Sequence, residues 1–316
     1  MNIRLHRRTL VFSTAAALAA SRLTVQTAPR VRAQEPGPDW QAVAQALGKT
    51  GQLMEGDVFR IGMPRSDLNV TVKDVPILPA FALGSYAAFR QVGPSASDTM
   101  VMGDLVLLDA EVNPVMSGLF AAGLSITGVH NHLNEMTPHV MYMHYMGMGE
   151  PVTLAAGLAQ ALSASATPLG EALSGSPQPA ATPTTELPTT QIEEALGRTA
   201  KIANGGVVQF SVPRAEAITE GSIDLLPAQG IATVLNVQPI AGGQGAITGD
   251  FVLVGDEVNP VAQTLREHGI DVAALHNHHL GEEPRLFYMH FFATGDPAEL
   301  ARGLRAALDQ TNSAKA

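Results

Sequence analysis

The sequence predicts an α+β protein of two similar tandem domains, each a layered mixed or antiparallel sheet with helices, in a split βαβ order with ferredoxin-like elements. One observation behind this is an internal repeat: displaced by 146, residues 103–162 match 249–308 at 26 of 60 positions without a gap. A period of that size is a domain, which excludes a solenoid. Another is the segment between the copies, residues 163–190, whose Ala, Ser, Thr and Pro read as a flexible linker. The domains therefore fall at 39–162 and 191–310. Weaker similarity continues upstream at a displacement of 149, where Pro64-Arg65 matches Pro213-Arg214. The last is the order of elements within each copy.

Upstream, 57–63, 69–75 and 84–92 are candidate strands. Residues 100–108 and 246–254 are largely apolar runs that suggest a buried strand. Glu111-Val112-Asn113-Pro114 and Glu257-Val258-Asn259-Pro260 follow, and helices are expected to start there because Asn caps and Pro suits the first helical position. They should end near Gly123 and Gly269, where glycine tolerates a left-handed residue. Strands are expected at 125–133 and 271–280, then a polar proline-containing break, then strands at 140–146 and 286–292. A last helix begins at Pro151 or Pro297, with Asp296 as N-cap and Glu299 completing a capping box.

Composition narrows the chemistry. None of the 316 residues is cysteine, which excludes a disulfide scaffold, a zinc–cysteine finger and a thiol nucleophile. Residues 1–33 hold six arginines and no acid, and beyond them 13 basic residues face 29 acidic ones. An acidic body repels phosphate backbones, so no nucleic-acid partner is expected. Residues 1–33 read as an export signal: a positive start through Arg7-Arg8, an apolar run over 10–20, and Ala33 before Gln34. That run is shorter than the roughly 20 residues a membrane span needs, so the mature chain is expected without a transmembrane anchor, in the periplasm or outside the cell. Arg7-Arg8-Thr9-Leu10 resembles a twin-arginine signal; an ordinary secretory signal is the alternative.

Eight of the ten histidines fall in two short stretches. His130-Asn131-His132 and His276-Asn277-His278 lie on a strand, so each pair of imidazoles shares one face. His144 and His290 each follow 14 residues after the first histidine of their pair, on the returning strand. A hairpin centred at Thr137 would set His130 opposite His144 and His132 opposite Tyr142. Three imidazoles would then meet on one ion within each repeat, with zinc the expected divalent transition metal and a fourth position open. Glu135, Glu282 and Glu283 are candidate fourth ligands or general bases. Tyr142 and Tyr288 are candidate donors to a bound anion, and Asn131 and Asn277 candidate anchors of the opposite strand face. Glu111 and Glu257 suit a helix start, or else orient a ligating imidazole. His139, His268 and His279 have no counterpart in the other copy and are expected at the surface. Met141, Met143, Met146 and Met148 are expected to pack in the core, although thioethers suit Cu(I). The structural alternative is a buried histidine network that pins the hairpins.

His-Asn-His, the proline-bearing break, Tyr-Met-His and the preceding Glu-Val-Asn-Pro together resemble the LppY/LpqO-like bacterial family, a domain-of-unknown-function family. The resemblance spans both copies. It implies an exported protein and brings no established activity. Its name-giving members are lipoproteins, and this chain has no cysteine to lipidate. Residues 276–282 also look like the first metal motif of a cupin, but a helix just before them and a third histidine only 12 residues past His278 do not suit that barrel.

These residues point to an extracytoplasmic metal-binding protein with a His-x-His plus His site in each repeat. A metal-dependent hydrolase and a non-catalytic ligand-binding or structural envelope protein are the alternatives. A small ligand is an open partner, and the oligomeric state is not legible.

Overall fold

The computed structural model describes residues 37–170 and 183–315; the expected export signal and the middle of the linker lie outside them. The first repeat runs α1 (Trp40–Leu47), β1 (Gln52–Met54), β2 (Val58–Pro64), β3 (Val70–Val72), β4 (Val75–Ile77), α2 (Pro79–Ala82), β5 (Gly84–Gln91), β6 (Thr99–Leu108), α3 (Asp109–Ala121), β7 (Ser125–His130), β8 (Met136–Thr137), β9 (Val140–Gly149) and α4 (Pro151–Leu162). The second repeats it as α5 (Thr189–Leu196), β10 (Lys201–Ile202), β11 (Val208–Pro213), β12 (Ile218–Glu220), β13 (Ile223–Leu225), β14 (Ala232–Pro239), β15 (Gly245–Val254), α6 (Gly255–Glu267), β16 (Asp271–His276), β17 (Glu282–Glu283), β18 (Leu286–Gly295) and α7 (Pro297–Leu308).

Each repeat forms a six-stranded sheet, ordered β1-β2-β5-β6-β9-β7 and β10-β11-β14-β15-β18-β16, with antiparallel neighbours throughout. The strands on either side of helix α3 flank β9, and those on either side of α6 flank β18, which is the expected split βαβ order. Two three-stranded sheets, β4-β3-β8 and β13-β12-β17, stand beside them. The segment expected as one strand over 69–75 is instead a hairpin, turned at Lys73 and Asp74, both at positive φ.

Alternation along the strands sorts side chains into two cores. On β6, Val101, Leu105 and Leu107 join Leu119 of α3 and Leu158 of α4 in one core, and the second repeat builds its own core the same way. The opposite sheet faces meet between the repeats. There Val106 and Tyr142 pack with Ala246 and Phe292, while Met100 and Met102 pack with Val252 and Tyr288. The layers are therefore helices, sheet, sheet, helices, and β6 and β15 read as continuous apolar runs because both faces are covered. Arms lock the repeats reciprocally: Asn236 Nδ2 donates to Phe81 O at 2.8 Å, and Arg60 Nη1 donates to Ala228 O at 2.6 Å. Both repeats fall within one compact unit.

Two expectations need correcting. Helices α3 and α6 start at Asp109 and Gly255, four residues before the expected Asn113 and Asn259, and Pro114 and Pro260 lie inside them. The reason is a cap supplied by glutamate: Glu111 accepts from Leu108 N and Glu257 from Val254 N, each at 2.9 Å. The glycines end these helices as expected, Gly123 at φ 75° and Gly269 at φ 71°. The linker is also shorter than its composition suggests. Ala166 N donates to Glu111 Oε1 at 2.9 Å and Gly170 N to Gly48 O at 2.7 Å, so residues 163–170 are docked.

Candidate metal centre

The register of each hairpin differs from the expected one by two residues. His130 stands opposite Tyr142 and Gly128 opposite His144; in the second repeat His276 opposes Tyr288 and Ala274 opposes His290. His132 and His278 lie beyond the strand ends. A slip of two preserves the face, so the imidazoles still point to one side. The polar break does not fold as a tight hairpin, because β8 and β17 leave to pair with β3 and β12. A bulge at Thr127 and another at Ala273 shift each ladder just before the histidines.

That side is the face between the repeats, so the two expected sites merge into one cluster. His130 Nε2 lies 2.9 Å from His144 Nε2, and His276 Nε2 lies 2.7 Å from His290 Nε2. His130 stacks on His276 across the repeats with ring centroids 3.5 Å apart. On either side, Tyr142, His132 and His290 form one stack and Tyr288, His278 and His144 another, with centroids 3.4–3.7 Å apart. Groups of nitrogen and carboxylate donors that lie within 4.8 Å of one another and could hold an ion are His130, His144, His276 and His278; His130, His132 and His290; and Asp250, His276 and His290. The expected trio of His130, His132 and His144 is not among them: the two all-histidine groups draw on both repeats, and the third, Asp250 with His276 and His290, lies within the second repeat.

Asp104 and Asp250 stand opposite His144 and His290 on the neighbouring strands β6 and β15. Asp104 Oδ2 lies 3.8 Å from His132 Nε2, and Asp250 Oδ2 lies 3.2 Å from His278 Nε2. The Oδ1 atoms of both carboxylates and His278 Nε2 are buried without a hydrogen-bond partner. Burial dominates the electrostatics. It lowers His130 to about 4 and His276 to about 3, with the His130 imidazole adding to the effect on His276. His132, His144, His278 and His290 are driven well below the usual value by burial and then by the surrounding imidazoles, His130 and His276 among them in every case. Burial also pushes Asp104 up to about 8 and Asp250 well above the ordinary range. Neutral imidazoles and partnerless carboxylate oxygens in a buried cluster are the donor set a divalent transition ion takes up, so the residues present fit a metal.

The other candidates have other duties. Tyr142 donates its hydroxyl to Ala82 O at 2.7 Å, not to an open position, while the Tyr288 hydroxyl is buried without a partner. Asn131 and Asn277 tie the repeats together: Asn277 Nδ2 donates to Thr127 O at 2.8 Å and Asn131 Nδ2 to Ala273 O at 3.4 Å, each reaching the bulge of the other repeat. Glu111 and Glu257 are helix caps clamped by Arg65 Nη1 and Arg214 Nη1, both at 2.7 Å. Burial opposes their ionisation, but these arginines and the backbone donors outweigh it and hold both carboxyls below the ordinary value. Glu135 is exposed near Lys73, and Glu283 is exposed on β17. Glu282 is buried, accepting from Leu286 N at 2.9 Å. The ion-holding groups among the described residues include none of these three glutamates. His139 and His268 are exposed as expected. His279 is not: it is 2% exposed, beside Tyr288 and His278. Met143 is in the core as expected, whereas Met148 is exposed.

Sequence reasoning missed Asp104 and Asp250 as neighbours of the histidines, and Arg65 and Arg214 as clamps. The signal was present: an acid inside an otherwise apolar buried run in both copies, and a Pro-Arg pair at matching positions.

A family profile matches residues 41–164 and 190–310, and the chain belongs to that family, described as Domain of Unknown Function (DUF1259), with two tandem copies. No curated protein matches the chain. Among solved structures, a trimeric bacterial microcompartment shell protein, PduB, aligns at 12% identity over 84% of this chain and 91% of its own, with a TM-score of 0.20. EtuB from Clostridium kluyveri aligns at 10% identity over 83% and 90%, also with a TM-score of 0.20. Among the described residues no helix is long and apolar enough to cross a membrane.

Proposed function

We propose that the protein is an exported metal-binding protein whose centre is built jointly by its two repeats, with zinc as the ion. The observation that carries this is the meeting of His130 and His144 of one repeat with His276 and His278 of the other, donor atoms within 4.8 Å. Buried, neutral imidazoles suit zinc, a d10 ion that proteins hold in four-coordinate tetrahedral sites with nitrogen ligands at about 2.0–2.1 Å. Export rests on the pattern of residues 1–33, and the resemblance to the LppY/LpqO-like family supports the same reading.

Elemental analysis of the purified full chain, before and after stripping with a chelator and reloading with Zn2+, tests the reading. Bound transition metal that survives desalting is the expected result; none in either preparation overturns it. His132→Ala and His278→Ala should lower metal content while leaving a cooperative unfolding transition. Loss of folding in both variants with no metal in the parent would instead mark the histidines as a structural network. N-terminal sequencing of the exported protein should begin at Gln34, and a chain retained whole in the cytoplasm would overturn the export reading.

A further inference from the structure

The six histidines divide without remainder into two sets. His130, His132 and His290 form one group with donor atoms within 4.8 Å, and His144, His276 and His278 lie together inside another that also includes His130. A shift of 146 converts the first set into the second residue by residue, and no histidine is shared. Each set takes the His-x-His pair of one repeat and the third histidine of the other. The two carboxylates stand between the sets. Asp104 Oδ2 is 3.8 Å from Nε2 of His132 of the first set, and its Oδ1 is 3.9 Å from Nδ1 of His144 of the second, whose Nε2 faces the other imidazoles. Asp250 Oδ2 is 3.2 Å from Nε2 of His278 of the second set, and its Oδ1 is 3.7 Å from Nδ1 of His290 of the first, the nitrogen that also lies 2.8 Å from Gly249 O and so leaves Nε2 of that ring for an ion. The Oδ1 atom of each is buried without a hydrogen bond.

From this we infer that the centre is binuclear: two divalent transition ions, one on His130, His132 and His290 and the other on His144, His276 and His278, with Asp104 and Asp250 each presenting one oxygen toward either set. The inference rests on the metal-binding reading above and adds the number of ions and their assignment across the repeats. Chemistry favours it over a single ion. A tetrahedral ion uses four donors, which would leave two imidazoles and both carboxylates buried without a role. Six neutral imidazoles and two carboxylates supply two negative charges against four positive ones, so the pair of ions keeps a net positive charge that an anion or hydroxide would balance. Paired ions that share carboxylates belong to the class of centres that act on both ends of a polar bond.

The test is the ion count of the full chain. Stripped protein is titrated with Co2+, and bound cobalt is measured by elemental analysis and by its exchange-coupled paramagnetic resonance. Two equivalents per chain with coupled spectra are expected. One equivalent overturns the binuclear inference while leaving the metal-binding reading intact, and none overturns both. Two double variants then test the assignment. His132→Ala with His290→Ala, which strikes one set in two repeats, should retain one ion. His132→Ala with His144→Ala, which strikes both sets within one repeat, should retain none. The opposite pattern would place each ion within a single repeat and overturn the cross-repeat assignment. The count on the unaltered chain stands whether or not the variants fold.

Discussion

In the first repeat the Tyr142 hydroxyl donates to Ala82 O at 2.7 Å, whereas the matching Tyr288 hydroxyl is buried with no partner. Both rings nevertheless stack on their histidine alike, at 3.5 Å and 3.4 Å between centroids. The bridge from Asn277 to Thr127 O is 2.8 Å, while its counterpart from Asn131 to Ala273 O is 3.4 Å. In the flanking strands Met136 is buried among apolar residues, and the matching Glu282 is buried against Leu286 N and Arg285. The two copies agree where rings converge between the repeats and differ in the groups that hold those rings from behind. Convergence on a shared centre demands particular atoms, while a supporting position demands only that burial be satisfied.

Acid should break both halves at once. The unfolded chain's histidines take up protons near pH 6.5, while burial holds His130 near 4 and His276 near 3 in the fold. A depressed folded-state value means that the stabilisation is present above pH 6.5 and is lost as pH falls toward those values, at up to about 1.4 kcal/mol per pH unit for each histidine. Chelator-treated protein should therefore show its urea midpoint fall between pH 7 and pH 5, because the six depressed histidines outnumber Asp104 and Asp250, whose raised values work in the opposite direction. A flat midpoint would mean that the histidines are solvated.

Next in size are the two arginine clamps. Arg65 is fully buried on Glu111, and removing it strands a buried carboxylate, which costs about 3–5 kcal/mol. Arg65→Met and Arg214→Met should lose equal stability by denaturant unfolding, since both clamp a helix cap and a carbonyl of the neighbouring strand, Val106 O or Val252 O. A large inequality would show that the copies are not energetically equivalent.

How far the sequence reveals this arrangement depends on the range of the interactions. The split βαβ order, the final strands and helices and the glycine helix ends are local patterns, and they were readable. The same is true of the facing of the histidines, which alternation alone decides. The register was not, because it is set by the bulges at Thr127 and Ala273 and by β8 and β17 pairing away from their hairpins. Nor was the sharing of the centre. Each copy contains a complete set of three histidines, so nothing within 39–162 alone shows that His144 will meet His278. His279 reads as an unmatched surface residue because no repeat counterpart marks it, yet it is buried beside His278 and Tyr288.

A smaller effect separates the copies at one glycine. A Cβ on Gly128 would lie 2.7 Å from Asn277 O, a backbone atom with little freedom to move, whereas the matching position carries Ala274. Gly128→Ala should cost about 1–3 kcal/mol by overpacking and should lower metal content as the repeats separate. Ala274→Gly, which opens no such contact, should cost no more than about 1 kcal/mol, from backbone entropy in a strand. Equal losses would mean that the closer approach at Gly128 carries no weight.

The smallest effect lies at the tyrosines, and it tests whether the second repeat's unmatched hydroxyl has a purpose. Tyr142→Phe removes a hydrogen bond and leaves Ala82 O short of a donor, so it should cost about 1 kcal/mol in metal-free and metal-loaded protein alike. Tyr288→Phe removes a hydroxyl that has no partner, and in metal-free protein it should be neutral or slightly stabilising. Its ring is the part the centre uses, stacked on His278 at 3.4 Å, and phenylalanine keeps it. Denaturant midpoints of both variants, with and without Zn2+, make the comparison. A Tyr288→Phe loss confined to the metal-loaded protein would show that this hydroxyl bonds to something that arrives with the ion. In that case the divergence between the copies is a division of labour, with one tyrosine anchoring the fold and the other facing the centre.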